Sequence, residues 1–500
     1  MKAVSLLHQL PSLSRLVTRE VTTMTQLRFV SCVIVLSGFS TLGCASSSSS
    51  GERDSVGGAH EMSNGGTGTG QNTNDGGTST SSTKVTPTGG STSSVSKPYE
   101  EPVETISLDE LPTDVPRISL EVSASELEKL EADPYDSPKV IGAFKDGANV
   151  RYSPVDVSYR GAYALQSLIF YGNGQRNWKV KFAKDKKYRS RREWNFSFQQ
   201  HIREKLTYDL MRFAGVKVPS ARHVQLTVNG VVSGVYLEYE DPDNKDWLMD
   251  KFGDDSGDLF KAGYDIPEMP KYFATLEYLG ESDSEYDLHY RKMTNNDDPT
   301  KAADFSSLRA FLRGLNESDD ESIEGFLRRN FDTERFLSYL VVFNFVSHWD
   351  SYPQRPKNFW LYQVPALGRW VFIPWDMDAT FQPDKGYLDP MGTDASVFYQ
   401  FDEFVDYKGR HPEEGTARPL ILRMMRVPSF RAAYVARYRE ALQSYFKEEY
   451  LVSRVDALTG LIENEISEID REDFDSNVAD VKRFIQERVK NVTNELATIP

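Results

Sequence analysis

Residues 341–381 read VVFNFVSHWDSYPQRPKNFWLYQVPALGRWVFIPWDMDATF, and the order of the parts decides the fold. An apolar helical run gives out at Asp350, and a polar loop with two prolines follows. Asn358 opens a first aromatic strand, Phe359–Tyr362, and a second, Trp370–Pro374, delivers Trp375-Asp376-Met377-Asp378. Alternate residues of an extended segment point the same way, so Asp376 and Asp378 are expected to share one face. An Asp that meets a substrate hydroxyl, with an Asn and a later Asp that hold Mg²⁺ against nucleotide phosphates, is the layout phosphoryl transfer needs. Spacing alone does not name that reaction. Acidic loops after strands are often simply solvated, and the Asp350–Asn358 separation exceeds the usual catalytic-loop spacing of protein kinases.

Composition narrows the choices. The 500-residue chain has a net charge of −16 and a pI of about 5.1. A dedicated nucleic-acid binder needs a basic face, so no nucleic-acid partner is expected, although Lys179–Arg192 is locally basic. Both cysteines, Cys32 and Cys44, lie near the N-terminus. Disulfides, Cys-based zinc sites and Cys nucleophiles are thereby excluded from the folded region. Arg28 precedes the apolar run Phe29–Leu36, too short for a membrane span and suited to a secretory signal. Gly43-Cys44 after such a run resembles a bacterial lipoprotein processing site. Residues 1–44 are therefore expected to be a signal peptide, with Cys44 lipidated and anchoring an exported protein to the cell envelope, periplasmic or at the outer surface. An ordinary secretory signal with an incidental Cys is the other reading. Met24 stands where a conventional signal would begin. Residues 45–103 are expected to be a disordered linker rich in Ser, Gly and Thr, because too little apolar surface is present to offset chain entropy.

Beyond the linker, the first half is strand-rich. Arg117–Val122, Val155–Gly161, Asn177–Phe182 and Trp194–Phe198 read as strands, with Lys179 and Lys181 on one face of the third. Ile202–Ala214 has helical spacing and Gly215 as its stop. Asn229-Gly230 is a strong hairpin signal between Arg222–Val228 and Val232–Glu240. Residues 262–300 are polar and irregular and read as an insertion or lid. Helices are expected at Asp304–Leu315, Asp319–Arg329 and Thr333–Ser347, and three or four more over Arg418–Leu496. A small sheet lobe, a connector and a helical lobe, with polar loops at their junction, is the two-lobed plan of a protein kinase, although fold does not settle function.

These residues resemble the CotH kinase family, secreted atypical kinases named after a spore coat protein. The resemblance runs from about Val115 to the C-terminus. It rests on Tyr159-Arg160-Gly161, the Lys-Val-Lys-Phe strand at 179–182, Arg203-x-Lys205-Leu206-x-Tyr208-x-Leu210, Gly234-Val235-Tyr236-Leu237-x-x-Glu240, Leu259-Phe260-Lys261, Asp350, Asn358-Phe359-x-Leu361-Tyr362 and Trp370 to Phe381. It implies an α+β, two-lobed atypical protein-kinase-like fold over residues 104–500. The β-rich N-lobe would span 104–261, the insertion 262–300 and the helical C-lobe 301–500.

The resemblance also implies an activity: ATP-dependent, Mg²⁺- or Mn²⁺-dependent transfer of phosphate to Ser or Thr hydroxyls of a protein substrate at the surface or envelope. Asp350 would be the catalytic base, and Lys181, with Lys179 as runner-up, the phosphate-binding lysine. Glu240 would meet the nucleotide at the connector, and Lys261 also matches. Asp376 would bind metal, with Asn358 and Asp378 as further ligands. Glu204 could pair with the strand lysine, or be a solvated helix residue. His348 reads as structural. Arg355 and Lys357 could grip an acidic substrate or simply solvate the loop. Two other classes stay open: a catalytically silent surface-binding relative, and a metal-dependent hydrolase, against which the lack of a His–carboxylate ligand set argues.

Overall fold

The computed structural model describes residues 99–500, apart from 105, 109, 135–137, 162–174, 199–200, 264–272, 385–390, 403–416 and 469. The expected signal peptide, Cys44 and linker residues 45–98 lie outside the described residues. No helix among the described residues is long and apolar enough to cross a membrane.

Strand β1 (Arg117–Val122) leads through helix α1 (Ala124–Ala132) into β2 (Val140–Asp146), β3 (Val150–Tyr159), β4 (Trp178–Lys181) and β5 (Glu193–Ser197). Helix α2 (His201–Phe213) then precedes the hairpin of β6 (Ala221–Val228) and β7 (Val231–Glu240). The expected Asn-Gly turn is there, with left-handed φ of 50° at Asn229 and 83° at Gly230. The strands close a barrel in the order β1-β2-β3-β4-β5-β7-β6, sealed by parallel pairing of β1 with β6. Closure leaves no unpaired edge to aggregate. Strand β2 has no counterpart among the expected strands. Its register shifts between Gly142 and Phe144, which breaks the alternation by which a strand is recognised.

Helix α3 (Lys245–Phe252) follows the barrel, capped by Asn244 and ended by left-handed Gly253. Next come β8 (Leu259–Ala262), a helical turn at Asp283–Asp287, β9 (Tyr290–Lys292), a second turn at Pro299–Ala302, and helices α4 (Ser306–Glu317), α5 (Ile323–Asn330) and α6 (Thr333–Phe345). The hairpin β10 (Phe359–Val364) and β11 (Arg369–Pro374) precedes α7 (Pro419–Arg426), α8 (Pro428–Gln443), α9 (Glu448–Ile462) and α10 (Arg471–Thr498). A second sheet has the order β11-β10-β8-β9.

The expected lobe boundaries change here. Strand β8, assigned to the first lobe, pairs with β10 in the second sheet. The supposed insertion supplies β9 to that sheet, and its Leu276, Tyr286 and Tyr290 are buried in the second core. Its polar composition had concealed a structural role, because few of its residues carry the packing. Residues 264–272, within the same stretch, lie outside the described residues.

One hydrophobic cluster fills the barrel and another spans the helices and second sheet. Strand β7 serves both by alternation: Tyr236 enters the barrel, whereas Val235, Leu237 and Tyr239 face the helical side. Helix α2 also packs on the helical side, through Leu206, Leu210 and Met211. It carries a buried ion triad: Lys205 Nζ lies 2.6 Å from Asp209 Oδ1, and Arg454 Nη2 on α9 lies 2.8 Å from Asp209 Oδ2. Arg454 also donates to the carbonyls of Leu108 and Glu110, fastening the chain ahead of β1. The same segment is held further upstream. Glu101 pairs with Arg335 at 2.7 Å, and Glu104 with Lys251 at 3.2 Å and with Arg212. Residues 99–103, expected to belong to the disordered linker, are thus ordered by cations of the fold.

Asp209 lies between two buried cations. Its replacement by Ala should cost about 3–5 kcal/mol, the usual penalty for stranding buried charge. Urea denaturation of wild type and Asp209→Ala measures the difference.

Candidate active site

The acidic loop after β11 is tied down from two sides. Trp375 N donates to the Asn358 carbonyl at 3.0 Å, and Phe381 N to the Val346 carbonyl, at the end of α6, at 2.9 Å. Thr380 Oγ1 meets Thr207 Oγ1 of α2 at 3.0 Å. His348, expected to be structural, is buried, with Nδ1 3.2 Å from the Ala379 carbonyl. Asp376 and Asp378 do not come together by strand alternation. Asp376 is left-handed, with φ of 62°, so the loop turns where an extended segment was expected. Asp tolerates that conformation better than most residues, since its short polar side chain bonds locally.

Asp350 and Asn358 meet across the proline loop. Asn358 Nδ2 donates to the Asp350 carbonyl at 2.7 Å and to its Oδ2 at 3.1 Å. Asn358 is left-handed, with φ of 60°. Lys357 Nζ lies 3.1 Å and Arg355 Nη1 3.3 Å from Asp350 Oδ1. These two cations are therefore not simply solvated. Burial acts to raise the Asp350 pKa, but Lys357 and Arg355 outweigh it and hold the carboxyl below its ordinary value. Asp376 and Asp378 go the other way. Burial raises both, and the nearby Asp376 and Asp350 push Asp378 up to about 8.

Glu204 adds a further carboxylate from α2. It is buried, and among the described residues its Oε2 has no hydrogen-bond partner. Burial, then Asp378 and Asp376, raise its pKa well above the carboxylate range. Neither alternative offered for Glu204 holds: it is buried and not solvated, and among the described residues the carboxylate partners of the β4 lysines are Glu193 and Asp241. Glu193 on β5 takes that place because it sits directly opposite Lys181 in the ladder, a cross-strand pair of opposite charge. Its carboxylate bonds Lys181 through Oε1 and lies 2.7 Å from Lys179 through Oε2.

Lys179 reaches further, with Nζ 2.8 Å from Asp241 Oδ2. Asp241 also accepts from Asn195 Nδ2 at 3.2 Å and from Asp243 N at 3.0 Å. Despite burial, Lys179 draws the Asp241 pKa down to about 2. Burial and Asp241 push the next carboxyl, Asp243, up to about 7. Asp243 lines a polar cavity of about 480 Å³ with Lys245, Thr294, Asn295, Asn296 and Lys301, within the size range of small-ligand sites. Glu240, expected to face a nucleotide, is engaged elsewhere. Its carboxylate accepts from Arg191 Nε at 3.0 Å, Ser220 N at 2.9 Å and Trp247 Nε1 at 3.1 Å. One residue on, the chain turns, and Asp241 faces the lysines instead.

Arg160 and Lys261 link the two halves of the site. The Arg160 guanidinium lies 5.1 Å from the Tyr239 ring centroid and 5.8 Å from that of Trp375. Burial acts to lower its pKa, but Tyr239, then Asp376, Glu204 and Asp241, outweigh it and raise it above the ordinary value. Lys261 lies over Trp360 at 5.5 Å. Burial lowers its pKa against the attraction of Asp241. Residues 162–174, which follow Gly161, lie outside the described residues. Glu193 and Asp241 were absent from the sequence expectation. The only signal for Glu193 was its position in the strand after Lys181, legible once the register is known.

The oxygens of Asp376, Asp378, Asn358 and Glu204 are the hard donors that Mg²⁺ and Mn²⁺ prefer. The unpartnered Glu204 oxygen fits such an ion. Among the described residues no three His, Cys, Asp or Glu side chains form a ready-made metal cage.

The chain belongs to the CotH kinase family: the family described as CotH kinase protein matches residues 157–492. It is similar to inner spore coat protein H of Bacillus subtilis, 24% identical over 374 residues that cover 72% of this chain and 93% of that protein. It is also similar to invasin CotH2 of Rhizopus delemar, 25% identical over 292 residues, 55% of this chain and 45% of that protein. The chain thus spans less than half the length of this fungal relative. Among solved structures, the Helicobacter pylori proinflammatory kinase CtkA aligns at 9% identity over 64% of this chain and 93% of that one, with a TM-score of 0.32.

Asp243 supplies a pH test. A carboxyl whose folded pKa is raised above its unfolded value binds more protons folded than unfolded between the two values. Its contribution to stability therefore falls as pH rises from about 4 to about 7. Asp243→Asn lacks that loss, so its melting temperature relative to wild type should climb across the same window. Thermal melts at pH 4.5, 6 and 8 give the comparison.

Proposed function

We propose that this chain is an exported, metal-dependent protein kinase that transfers the γ-phosphoryl group of ATP to Ser or Thr hydroxyls of surface or envelope proteins. The observation that carries this reading is the meeting of Asp350 and Asn358 beside Asp376 and Asp378. The lysine-bearing strand β4 stands across the junction, linked to them through Asp241 and Arg160. Asp350, kept ionised, accepts the proton of the acceptor hydroxyl. Lys179 is better placed than Lys181 to approach phosphates, since it reaches the connector, and Lys261 adds charge beside it. Asp376, Asp378 and Asn358 would hold Mg²⁺ or Mn²⁺, with Glu204 behind them; Asn358 would use Oδ1, because its Nδ2 is committed to Asp350. Bound there, the ion would neutralise phosphate charge during transfer. Glu240 acts one step removed, by anchoring the connector. The lipid on Cys44 would tether the domain to a membrane through residues 45–98.

A second reading has its own observation. Both β4 lysines are already gripped by Glu193 and Asp241, which lowers the positive charge they offer to phosphates. A catalytically silent relative that binds surface partners would tolerate that. Transfer of label from γ-labelled ATP to an added Ser-rich polypeptide, with Mg²⁺ or Mn²⁺, separates the two. Label should appear, and Asp350→Ala and Asp376→Ala should each reduce it by about 100-fold or more. No label, with no thermal shift from ATP and metal, would favour the binding protein.

A further inference from the structure

We propose that one end of the barrel, the rim formed by the β2–β3 turn and the β4–β5 loop, is a docking surface for an anionic phospholipid bilayer. The inference goes beyond phosphotransfer and draws on one part of the proposed function, the tether from Cys44.

Three observations carry it. First, the rim holds a surplus of positive charge on a chain whose net charge is −16. Residues 184–192 of the β4–β5 loop have six cations and one carboxylate. Lys187, Arg189 and Arg191 are paired inward, with Asp246, with Glu238, and with Glu240 and Asp250. Lys184, Lys186 and Arg192 have no such partner among the described residues. Lys186 donates to the Arg151 carbonyl at 2.8 Å, Arg192 to the Phe182 carbonyl at 3.4 Å, and Lys184 is exposed. The bond from Lys186 brings it to the start of β3, where Arg151 and Lys145 stand opposite in the ladder and share Glu121. These five cations thus meet three carboxylates, Glu121, Asp146 and Asp185. Second, Val150 is 44% exposed beside Arg151, at the end of the β2–β3 turn. An apolar side chain among cations suits the headgroup region of a bilayer, where one meets the acyl boundary and the others the phosphates. Third, the tether joins the fold beside this rim. Tyr99 Oη donates to the Phe252 carbonyl at the C-terminal end of α3. Asp246 and Asp250 of that same eight-residue helix, about 12 Å long, hold Lys187 and Arg191 of the loop. A bilayer reached through residues 45–98 is therefore brought to this side, which favours lipid over an acidic protein as the partner.

The two attachments act together. An anchor limits how far the domain strays from the surface and so raises the effective concentration of the second contact. The cations then set which face of the domain meets the headgroups, each adding about fivefold to partition onto an anionic surface. Salt screens that attraction.

Co-sedimentation of the full chain bearing Cys44→Ser, which cannot carry the lipid, tests the surface apart from the anchor. The probes are vesicles of phosphatidylcholine alone or mixed with phosphatidylglycerol. This parent chain should partition about tenfold or more better onto the anionic vesicles, and added salt should erase the preference. The apolar run Phe29–Leu36 is common to every variant and both vesicles, so it cancels in the ratio. Lys184→Gln should weaken anionic binding about fivefold. Lys184→Gln, Lys186→Gln and Arg192→Gln combined should bring it to the neutral-vesicle level. Arg329→Gln, which removes an exposed cation of α5, should change nothing. Equal binding to both vesicles, or a triple variant that keeps the preference, overturns the proposal. If the triple variant does not fold, Lys184→Gln and Val150→Ser decide, and loss in neither overturns it. Retention of the parent on polyglutamate without any preference between vesicles would overturn the bilayer and assign the surface to an acidic protein. Incorporation of labelled palmitate at Cys44 of wild type checks the anchor by itself: no label, with the vesicle preference intact, strikes the anchor and keeps the surface.

Discussion

The amide of Asn358 is the joint on which the rest of the site depends. Its Nδ2 bonds both the carbonyl and the carboxylate of Asp350, and its own carbonyl receives Trp375 N. One residue thereby sets the loop after α6, the start of β10 and the end of β11 in mutual register. The left-handed backbone at Asn358 and Asp376 lets the chain turn sharply at both ends of the β10–β11 hairpin. Such conformations are tolerated where surrounding structure over-determines them, and here the α6 terminus and Thr207 of α2 supply that restraint.

The second constraint is electrostatic. Glu204, Asp376 and Asp378 crowd a partly buried region in which burial alone disfavours their ionised forms. Arg160, Lys261 and Lys357 partly balance them. Arg160 is the member that spans the junction, since it leaves the barrel at the end of β3 and meets Trp375 beside the acidic loop. The cluster also explains why Asp350 differs from its neighbours. Two cations sit on it, so it stays ionised while Asp378 does not readily do so.

Legibility followed the range of the interactions. The hairpin at Asn229-Gly230, the helix before Gly215 and strand β1 are set by local turn chemistry and periodicity, and the structure reproduces them closely. Strand β2 was hidden by its irregular register with β3, and β9 by the polar composition around it. The positions of Asp350, Asn358, Asp376 and Asp378 at one junction were legible because their order along the chain resembles a family pattern. Glu193 and Asp241 were not. Each acquires its role only from a partner across a strand or a connector.

What the sequence by itself determined was the family, the run of strands before helices, and the residue types that face one another at the junction. Those depend on short-range patterning and on motifs carried in order along the chain. What only the tertiary structure decided was pairing: that the barrel closes, that β8 belongs with β10, that Glu193 and not Glu204 binds the β4 lysines, and that Glu240 anchors the connector. Each is a choice between chemically equivalent carboxylates or strand edges, and only distance, which the folded chain alone defines, can make it.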